Sequence, residues 1–179
     1  MNVEQHFLEN TIGVFRNYKS LADKAFTQLD QNSQFHYQPD PESNSLETLI
    51  RHMAGNMISR WTDFLTSDGE KPDRNRDGEF NPALETKAEL LKRWEDGWEL
   101  FFKTLRSLKE EDLQKTVTIR GEGLTVLQAL NRQTAHYSYH VGQIVFLAKH
   151  IRTKDWISLS IPKNKSAENM KGSYLDTIK

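Results

Sequence analysis

The sequence predicts an all-α protein built as a four-helix bundle. Apolar side chains recur every three or four positions along four segments, which is the period of an amphipathic helix. Capping sequences begin three of these segments, and polar stretches containing proline or glycine separate them. Four amphipathic helices of about 20–27 residues bury their apolar faces most economically in a bundle. The lengths of the connections leave both an up-down and a crossover topology open.

The first two predicted helices are separated by a polar connection. The first helix spans residues 3–29, where apolar side chains follow the helical period. Residues 30–44 are polar and include two prolines, so they predict a connection. The second helix begins near Asn44 or Ser45, because Asn44 and Glu47 three positions later resemble a capping box.

A long loop follows the second helix, which we expect to end before Asp68. The loop covers residues 67–82 and is rich in glycine, proline and charged side chains. Loops of this length without structure are uncommon inside a compact domain unless they are functional or mobile. Its lone aromatic residue, Phe80, is a candidate to pin the loop to the body of the protein.

Capping boxes begin the third and fourth predicted helices. Thr86 with Glu89 begins the third, and Thr125 with Gln128 begins the fourth, which runs to about residue 150. Each box satisfies two backbone N–H groups that would otherwise lack a partner at the start of a helix.

Two segments of the chain depart from the helical period. Residues 116–119 alternate and are β-branched, so they predict a short strand before the fourth helix, turned by residues 121–123. Residues 151–179 are irregular and predict a C-terminal tail that packs on the bundle or on a dimer partner. The chain therefore divides into a helical-bundle domain, residues 1–150, and this tail.

Composition excludes several classes of function. The 179 residues carry a formal net charge of −1, which gives no reason to expect nucleic acid or an anionic membrane as a partner. The absence of cysteine excludes disulfides, thiolate metal ligands and a cysteine nucleophile, and it fits a reducing compartment. We see neither a signal peptide nor a run of the roughly 18–20 apolar residues that a membrane span needs. We therefore expect a cytoplasmic protein.

Three histidines are the candidate metal ligands. His136 and His140 stand four positions apart in the fourth predicted helix, where they lie on one face, and His52 lies in the second helix. On helical wheels all three fall on the flanks of apolar stripes, and flanks meet in a groove when two helices pack. Neutral imidazoles suit Zn²⁺, Ni²⁺, Cu²⁺ and Fe²⁺, and three of them leave a coordination position open for water or substrate. The alternative is that each histidine is a hydrogen-bonded structural residue, the interpretation we give to His6, His36 and His150.

Five further residues are candidates for positions around the metal or in a substrate pocket. Asn56 and Gln133 share the flanks of the histidines, so they could hold an imidazole or polarise the site. Arg60 falls inside an apolar stripe, where it either extends to water past the helix end or binds an anion. Arg74 and Arg76 in the long loop are either solvated or act as anion-binding groups on a lid. No catalytic residue is identified.

The pattern of histidines resembles a known family. Leu49–His52 in the second helix and His136–Ile144, which reads H-x-x-x-H-x-G-Q-I, look like the DinB-like (YfiT-like) superfamily of metalloenzymes. The resemblance covers roughly residues 1–150. The segments Gly55–Trp61 and Arg74–Asp77 look like a bacterial branch of that superfamily, without an assigned activity to carry over.

The resemblance implies a bundle that binds zinc or nickel through His52, His136 and His140, and that frequently forms a homodimer. Some members of the superfamily are thiol transferases that use bacillithiol or mycothiol, and one is a glutathione-dependent isomerase. The long loop and the tail beyond Ile151 go beyond the minimal family pattern.

Two functions from different classes remain. The first is a metal-dependent enzyme of thiol transferase or hydrolase type, which activates a low-molecular-weight thiol or water for attack on a small electrophile. The alternative is a non-enzymatic metal-binding or dimerising bundle. A structural metal site is normally closed by four protein ligands, so an Asp or Glu in the fourth position would favour the alternative. The lack of a basic helical stripe disfavours nucleic-acid binding.

Overall fold

A computed structural model describes residues 2–169 and confirms the all-α fold. Its four long helices correspond to the four predicted ones, and two short helices and a two-stranded hairpin lie in the connections. In chain order the elements are α1 (Val3–Phe26), α2 (Asn32–His36), α3 (Leu46–Trp61), α4 (Arg76–Glu79), α5 (Lys87–Ser107), β1 (Thr116–Ile119), β2 (Glu122–Thr125) and α6 (Val126–Arg152). Short 3₁₀ turns occupy Glu110–Asp112, Thr153–Asp155 and Ser166–Asn169.

The packing of the long helices brings α3 and α6 together. α3 packs mainly on α5 and α1 mainly on α6, while α3 also contacts α6 and α1 also contacts α5. The first two long helices, α1 and α3, therefore lie on opposite sides of the bundle. This is a crossover arrangement. Aromatic side chains fill the centre, all of them buried: Phe15, Trp61, Trp94, Trp98, Phe101 and Tyr137.

Two of the predicted helix ends differ from the structure. α1 ends at Phe26, three residues early, and α3 ends at Trp61. Asp63 has a φ of 49°, a left-handed conformation that a continuing helix does not contain. Phe64 lies beyond the helix end yet is buried. The apolar period in the sequence continues past the end of α3 because the turn after this helix also buries an apolar side chain, that of Phe64.

The capping residue of α3 is Ser45, whose hydroxyl accepts a hydrogen bond from the backbone of Thr48 at 3.1 Å. The predicted box of Asn44 with Glu47 is therefore wrong, although Ser45 was the second of the two predicted starts. Glu47 turns inward instead and accepts a hydrogen bond from the backbone N–H of Glu85 at 2.9 Å. The boxes that begin α5 and α6 are both confirmed.

The hairpin before α6 confirms the predicted strand and corrects its turn. β1 pairs antiparallel with β2, and the turn residues are Arg120 and Gly121, with φ values of 57° and 75°. Glu122, which the sequence placed in the turn, begins β2. The Asp68 carboxylate accepts hydrogen bonds from the backbone N–H groups of Gly121, Glu70 and Arg120, and these bonds lower the pKa of Asp68 to about 2. The hairpin is thereby tied to the long loop.

The chain beyond α6 follows the bundle for a short distance. Trp156 and Leu159 pack against the core, and the Gln28 side chain bonds both backbone groups of Ile157 at 2.8 and 3.0 Å. The Ile157 side chain itself is exposed, as is that of Ile161. The end of the predicted tail, residues 170–179, lies outside the described residues. Within residues 2–169, no helix combines the length and apolarity that a membrane crossing requires.

Candidate metal centre

Three histidine side chains meet in the groove between α3 and α6. His52 lies on α3, and His136 and His140 lie one turn apart on α6. The Nε2 atom of His136 is 3.3 Å from that of His52 and 3.0 Å from that of His140. A tetrahedral zinc ion with bonds of about 2.0–2.1 Å holds two ligand nitrogens roughly 3.3 Å apart. The spacing of the three nitrogens therefore fits a shared divalent ion, and the group could hold one.

The outward-facing nitrogens of two of these rings meet hydrogen-bond acceptors. His52 Nδ1 lies 3.0 Å from a carboxylate oxygen of Glu79, and His140 Nδ1 lies 2.8 Å from the amide oxygen of Gln143. An acceptor on the second nitrogen keeps the proton there and leaves Nε2 free to bind a metal. His52 and His140 are thus oriented as metal ligands usually are.

Glu79 is the functional residue that sequence reasoning missed. It comes from α4 inside the long loop, where Arg74 holds its carboxylate with two hydrogen bonds of 2.8 Å. A Cβ atom at Gly55 of α3 would overlap the Glu79 carboxylate, so only glycine at that position lets the carboxylate reach His52. A glycine inside a helix lowers stability by up to about 1 kcal/mol relative to alanine. Its presence in an amphipathic helix is therefore the sequence signal for a close approach by another group.

The environment of Glu79 keeps its side chain ionised. Burial by itself would raise the pKa of the carboxyl, but hydrogen bonds from His52 and Arg74 and the charge of Arg74 outweigh it and lower the pKa. The phenyl ring of Phe80, the next residue, lies 5.0 Å from the imidazole of His52. The aromatic residue that was expected to pin the loop thus lies against the candidate ligand.

The imidazoles on α6 are neutral near pH 7. Burial, followed by the nearby His140 and His52 rings and two arginines, lowers the pKa of His136 to about 3. Burial also lowers the pKa of His140, and the neighbouring His52 adds to the effect. Neutral imidazole is the form that binds a metal, so these rings do not have to lose a proton to solution first.

A buried chain of hydrogen bonds reaches the third ring. The indole N–H of Trp61 donates to the Tyr137 hydroxyl at 3.2 Å, and this hydroxyl donates to the side-chain oxygen of Asn56 at 3.3 Å. The amide nitrogen of Gln133 donates to the same oxygen at 3.0 Å and lies 2.9 Å from Nδ1 of His136. Of the two predicted polar candidates, Gln133 therefore touches a histidine directly and Asn56 lies one step behind it.

The direction of this chain bears on metal binding. An indole N–H can only donate, so the hydroxyl of Tyr137 must pass its own hydrogen on to Asn56, and Gln133 then faces Asn56 with its nitrogen. A second hydrogen of that nitrogen points at His136 Nδ1. Binding of a metal at Nε2 of His136 would place the proton on Nδ1, and the Gln133 amide would have to turn its oxygen toward it.

A cavity of about 230 Å³ opens beside His52 and His136. Its wall includes all three predicted arginines, together with two that the sequence did not single out. The lining consists of His52, Asn56, Arg60, Arg74, Arg76, Arg120, Arg132, Gln133 and His136. Among the described residues, the group that could hold a metal contains only histidines. Within residues 2–169, no Asp or Glu therefore joins the three histidines as the fourth ligand of a closed structural site.

Two of the three predicted arginines in the cavity wall, Arg60 and Arg74, have buried side chains. Arg60 is only 5% exposed, and its Nε donates to the carbonyl of Gly69 at 3.3 Å, so it does not extend past the helix end into water. Arg74 is held by Glu79, and Arg76 lies over the ring of Phe80 at 5.3 Å. Arg60 therefore does not reach water past the helix end and Arg74 is not a solvated loop residue, whereas the Arg76 side chain is exposed.

Two of the remaining histidines have partners away from the cavity. His36 lies 3.1 Å from the carboxylate of Glu47, and His150 contacts the hydroxyl of Tyr37 at 3.3 Å. Their structural interpretation agrees with these contacts.

Comparison with known proteins gives a family. Neither a curated protein nor a solved structure matches the chain. One family model matches residues 2–165, a range that includes every helix of the bundle and all three histidines of the candidate centre. Because the match covers nearly the whole sequence, the chain belongs to the family DUF1572, which is described as a protein of unknown function.

Proposed function

We propose that this protein is a divalent-metal-dependent enzyme of thiol transferase or hydrolase type. The observation that carries the proposal is the convergence of three Nε2 atoms, from His52, His136 and His140, beside a cavity that His52 and His136 line. A bound divalent ion would lower the pKa of a coordinated thiol or water toward neutrality and so supply the nucleophile. The protein would hold the ion through the three rings and leave a position open for the nucleophile.

The surrounding residues support a reactive site rather than a structural one. Glu79 and Gln143 hold two of the imidazoles in place, which fixes the donor geometry before any ligand arrives. Gln133 and Asn56 present amide groups at the cavity wall, where they can hydrogen-bond a polar substrate. The buried arginines would orient an anionic part of the substrate.

Several finer features of the proposal come from the family resemblance. We propose membership of the DinB-like superfamily, zinc or nickel as the ion, and a low-molecular-weight thiol as a cosubstrate. We also propose a homodimer in the cytoplasm, without nucleic-acid or membrane partners. The balanced charge supports the lack of nucleic-acid and membrane partners, and the absence of cysteine supports the cytoplasm.

The first test is metal stoichiometry. Protein purified without chelators and dialysed against Zn²⁺ or Ni²⁺ is expected to retain one ion per chain by mass spectrometry. His136→Asn should abolish retention, whereas His36→Asn, at a histidine paired with a glutamate outside the site, should not change it. Failure of the unaltered protein to retain an ion would show that the proposal is wrong.

The second test separates the enzyme from a non-catalytic metal-binding bundle. Metal-loaded protein is assayed with an activated aryl halide plus a small thiol, and separately with an activated ester. The expected result is a rate that follows metal occupancy in one of the two assays, is lost in His136→Asn and persists in His36→Asn. Full occupancy without acceleration across a broad panel of both substrate types would favour the non-enzymatic alternative.

A further inference from the structure

We infer that the cavity beside the histidines binds its substrate through a dianionic phosphate or phosphonate group. The inference names the substrate class of the proposed reaction and so rests on the proposed function, although the anion would be held by residues other than the histidines. Within the described chain, the charged side chains that line this cavity, apart from the histidines, are all arginines. They come from four parts of the fold: Arg60 from α3, Arg74 and Arg76 from the long loop, Arg120 from the hairpin turn and Arg132 from α6.

Two glutamates behind the cavity wall neutralise only part of this charge. Glu70 contacts three of the arginines, with distances of 3.7 Å to Arg60, 3.3 Å to Arg74 and 3.3 Å to Arg120. Glu79 is shared between Arg74 and the histidine on α3. Neither carboxylate lines the cavity, so a ligand there meets the positive groups first.

The outer arginines leave a positive excess. Arg132 reaches one carboxylate, Glu122, at 4.0 Å, and both side chains are largely exposed. Arg76 has no carboxylate within ion-pair distance among residues 2–169, and its guanidinium lies over a phenyl ring. Five arginines and three contacting glutamates leave two positive charges unmatched. A phosphate monoester carries about −1.5 to −2 near neutral pH, which matches that excess.

The deepest arginine is fixed before a ligand binds. A Cβ atom at Gly69 would lie 2.9 Å from Cδ of Arg60, so the glycine permits the buried stem of this arginine to run along the loop. The Gly69 carbonyl then accepts the Nε hydrogen at 3.3 Å and orients the guanidinium. A planar guanidinium donates two parallel hydrogen bonds to tetrahedral oxyanions, and prior ordering lowers the entropic cost of binding.

The size of the cavity limits the rest of the substrate. Its volume of about 230 Å³ lies below the roughly 300–1,000 Å³ typical of pockets for drug-sized ligands. Because His52 and His136 line the same space, one small molecule can contact the arginines with its anionic group and present an electrophilic centre to the histidines.

The test is calorimetric titration with methylphosphonate and inorganic phosphate at pH 8 and constant ionic strength. Metal-free and zinc-loaded proteins are both titrated, and acetate and succinate serve as carboxylate comparisons. We expect the phosphonate to bind both forms and to bind more tightly than either carboxylate. Arg120→Gln and Arg76→Gln should each weaken binding about three- to tenfold.

The matched control is Arg93→Gln. Arg93 and Arg120 are each 56% exposed and each form one ion pair with a glutamate, but Arg93 lies on α5 outside the cavity. This variant should bind the phosphonate like the unaltered protein. Equal weakening by Arg93→Gln, stronger binding of succinate, or no phosphonate binding at all would overturn the inference. Phosphonate binding without metal retention would refute the proposed function alone, and metal retention without phosphonate binding would refute only this inference.

Discussion

Replacing Glu79 by Gln tests whether the histidines are metal ligands, because the change is nearly isosteric and lies outside the ligand set. Both carboxylate oxygens are in use: one accepts from His52 and from Arg74, and the other accepts a second bond from Arg74. A glutamine keeps one acceptor oxygen, and in either orientation its N–H₂ is placed against an N–H of Arg74, so the carboxylate can no longer be held beside His52 by both bonds from that arginine.

The expected size of the effect follows from these contacts. Loss of an outer partner of a metal-bound histidine typically weakens metal binding 10–100-fold, or about 1.4–2.7 kcal/mol. We expect the upper part of that range, because Glu79 is buried, is ionised, and also offsets the charge of Arg74 beside the site. A competition titration of Zn²⁺ against a chromophoric chelator measures the change directly.

The control for this substitution is Glu47→Gln. Glu47 is also buried and also contacts a histidine, His36, at 3.1 Å, but that pair lies away from the cavity. Its replacement should lower the free energy of unfolding and leave the zinc affinity unchanged. If folded Glu79→Gln protein binds zinc within about threefold of the unaltered protein, then His52 is not held as a ligand by this carboxylate.

Three further results are expected. Gly55→Ala places a methyl group on the Glu79 carboxylate and displaces it from His52, so it should weaken zinc binding in the same competition titration. The higher helix propensity of alanine, worth up to about 1 kcal/mol, offsets part of the stability lost with the displaced carboxylate, so the midpoint of urea unfolding should shift little. Gln133→Glu places a group that can only accept a hydrogen bond beside Nδ1 of His136, which favours the tautomer that binds a metal through Nε2. Chelator competition should therefore show about tenfold tighter zinc binding. Weaker binding would contradict the direction argued for the buried series of hydrogen bonds. In metal-free protein, the unfolded chain protonates His136 near pH 6.5 whereas the native protein does so only near pH 3, so the free energy of unfolding should fall as the pH drops between these values. The slope due to this residue is at most about 1.4 kcal/mol per pH unit, and urea titrations of His136→Asn should show a smaller pH dependence than those of the unaltered protein.

The convergence of the histidines could be predicted because it depends on local periods. The positions of His136 and His140 relative to the apolar stripe of α6 are fixed by the 3.6-residue repeat, and the same holds for His52 on α3. Once two amphipathic helices pack along their stripes, their flanks have to meet. No knowledge of loop conformation is needed for that step.

The partners of the histidines depend on contacts between distant parts of the chain. Glu79 reaches the site through α4, which has four residues and leaves no periodic pattern to detect. Its placement follows from the guanidinium of Arg74 and from the missing side chain of Gly55, and neither has meaning until the loop folds onto α3. Arg120 likewise reaches the cavity because Asp68 binds the hairpin turn, a contact across about fifty positions that periodicity does not report.

The long loop contacts both the histidines and the arginines of the cavity, so we expect the affinity for a metal and the affinity for an anion to depend on each other. Arg74 donates to Glu79, which holds His52, and it also contacts Glu70, which is shared with Arg60 and contributes to the charge of the cavity. An anion that draws Arg74 toward the cavity weakens its hold on Glu79, whereas a cation at the histidines favours the ionised carboxylate that anchors Arg74. Any effect of one ligand on the affinity of the other must be matched in the reverse direction, since linkage is reciprocal. The loop is thus the element whose position both ligands would influence.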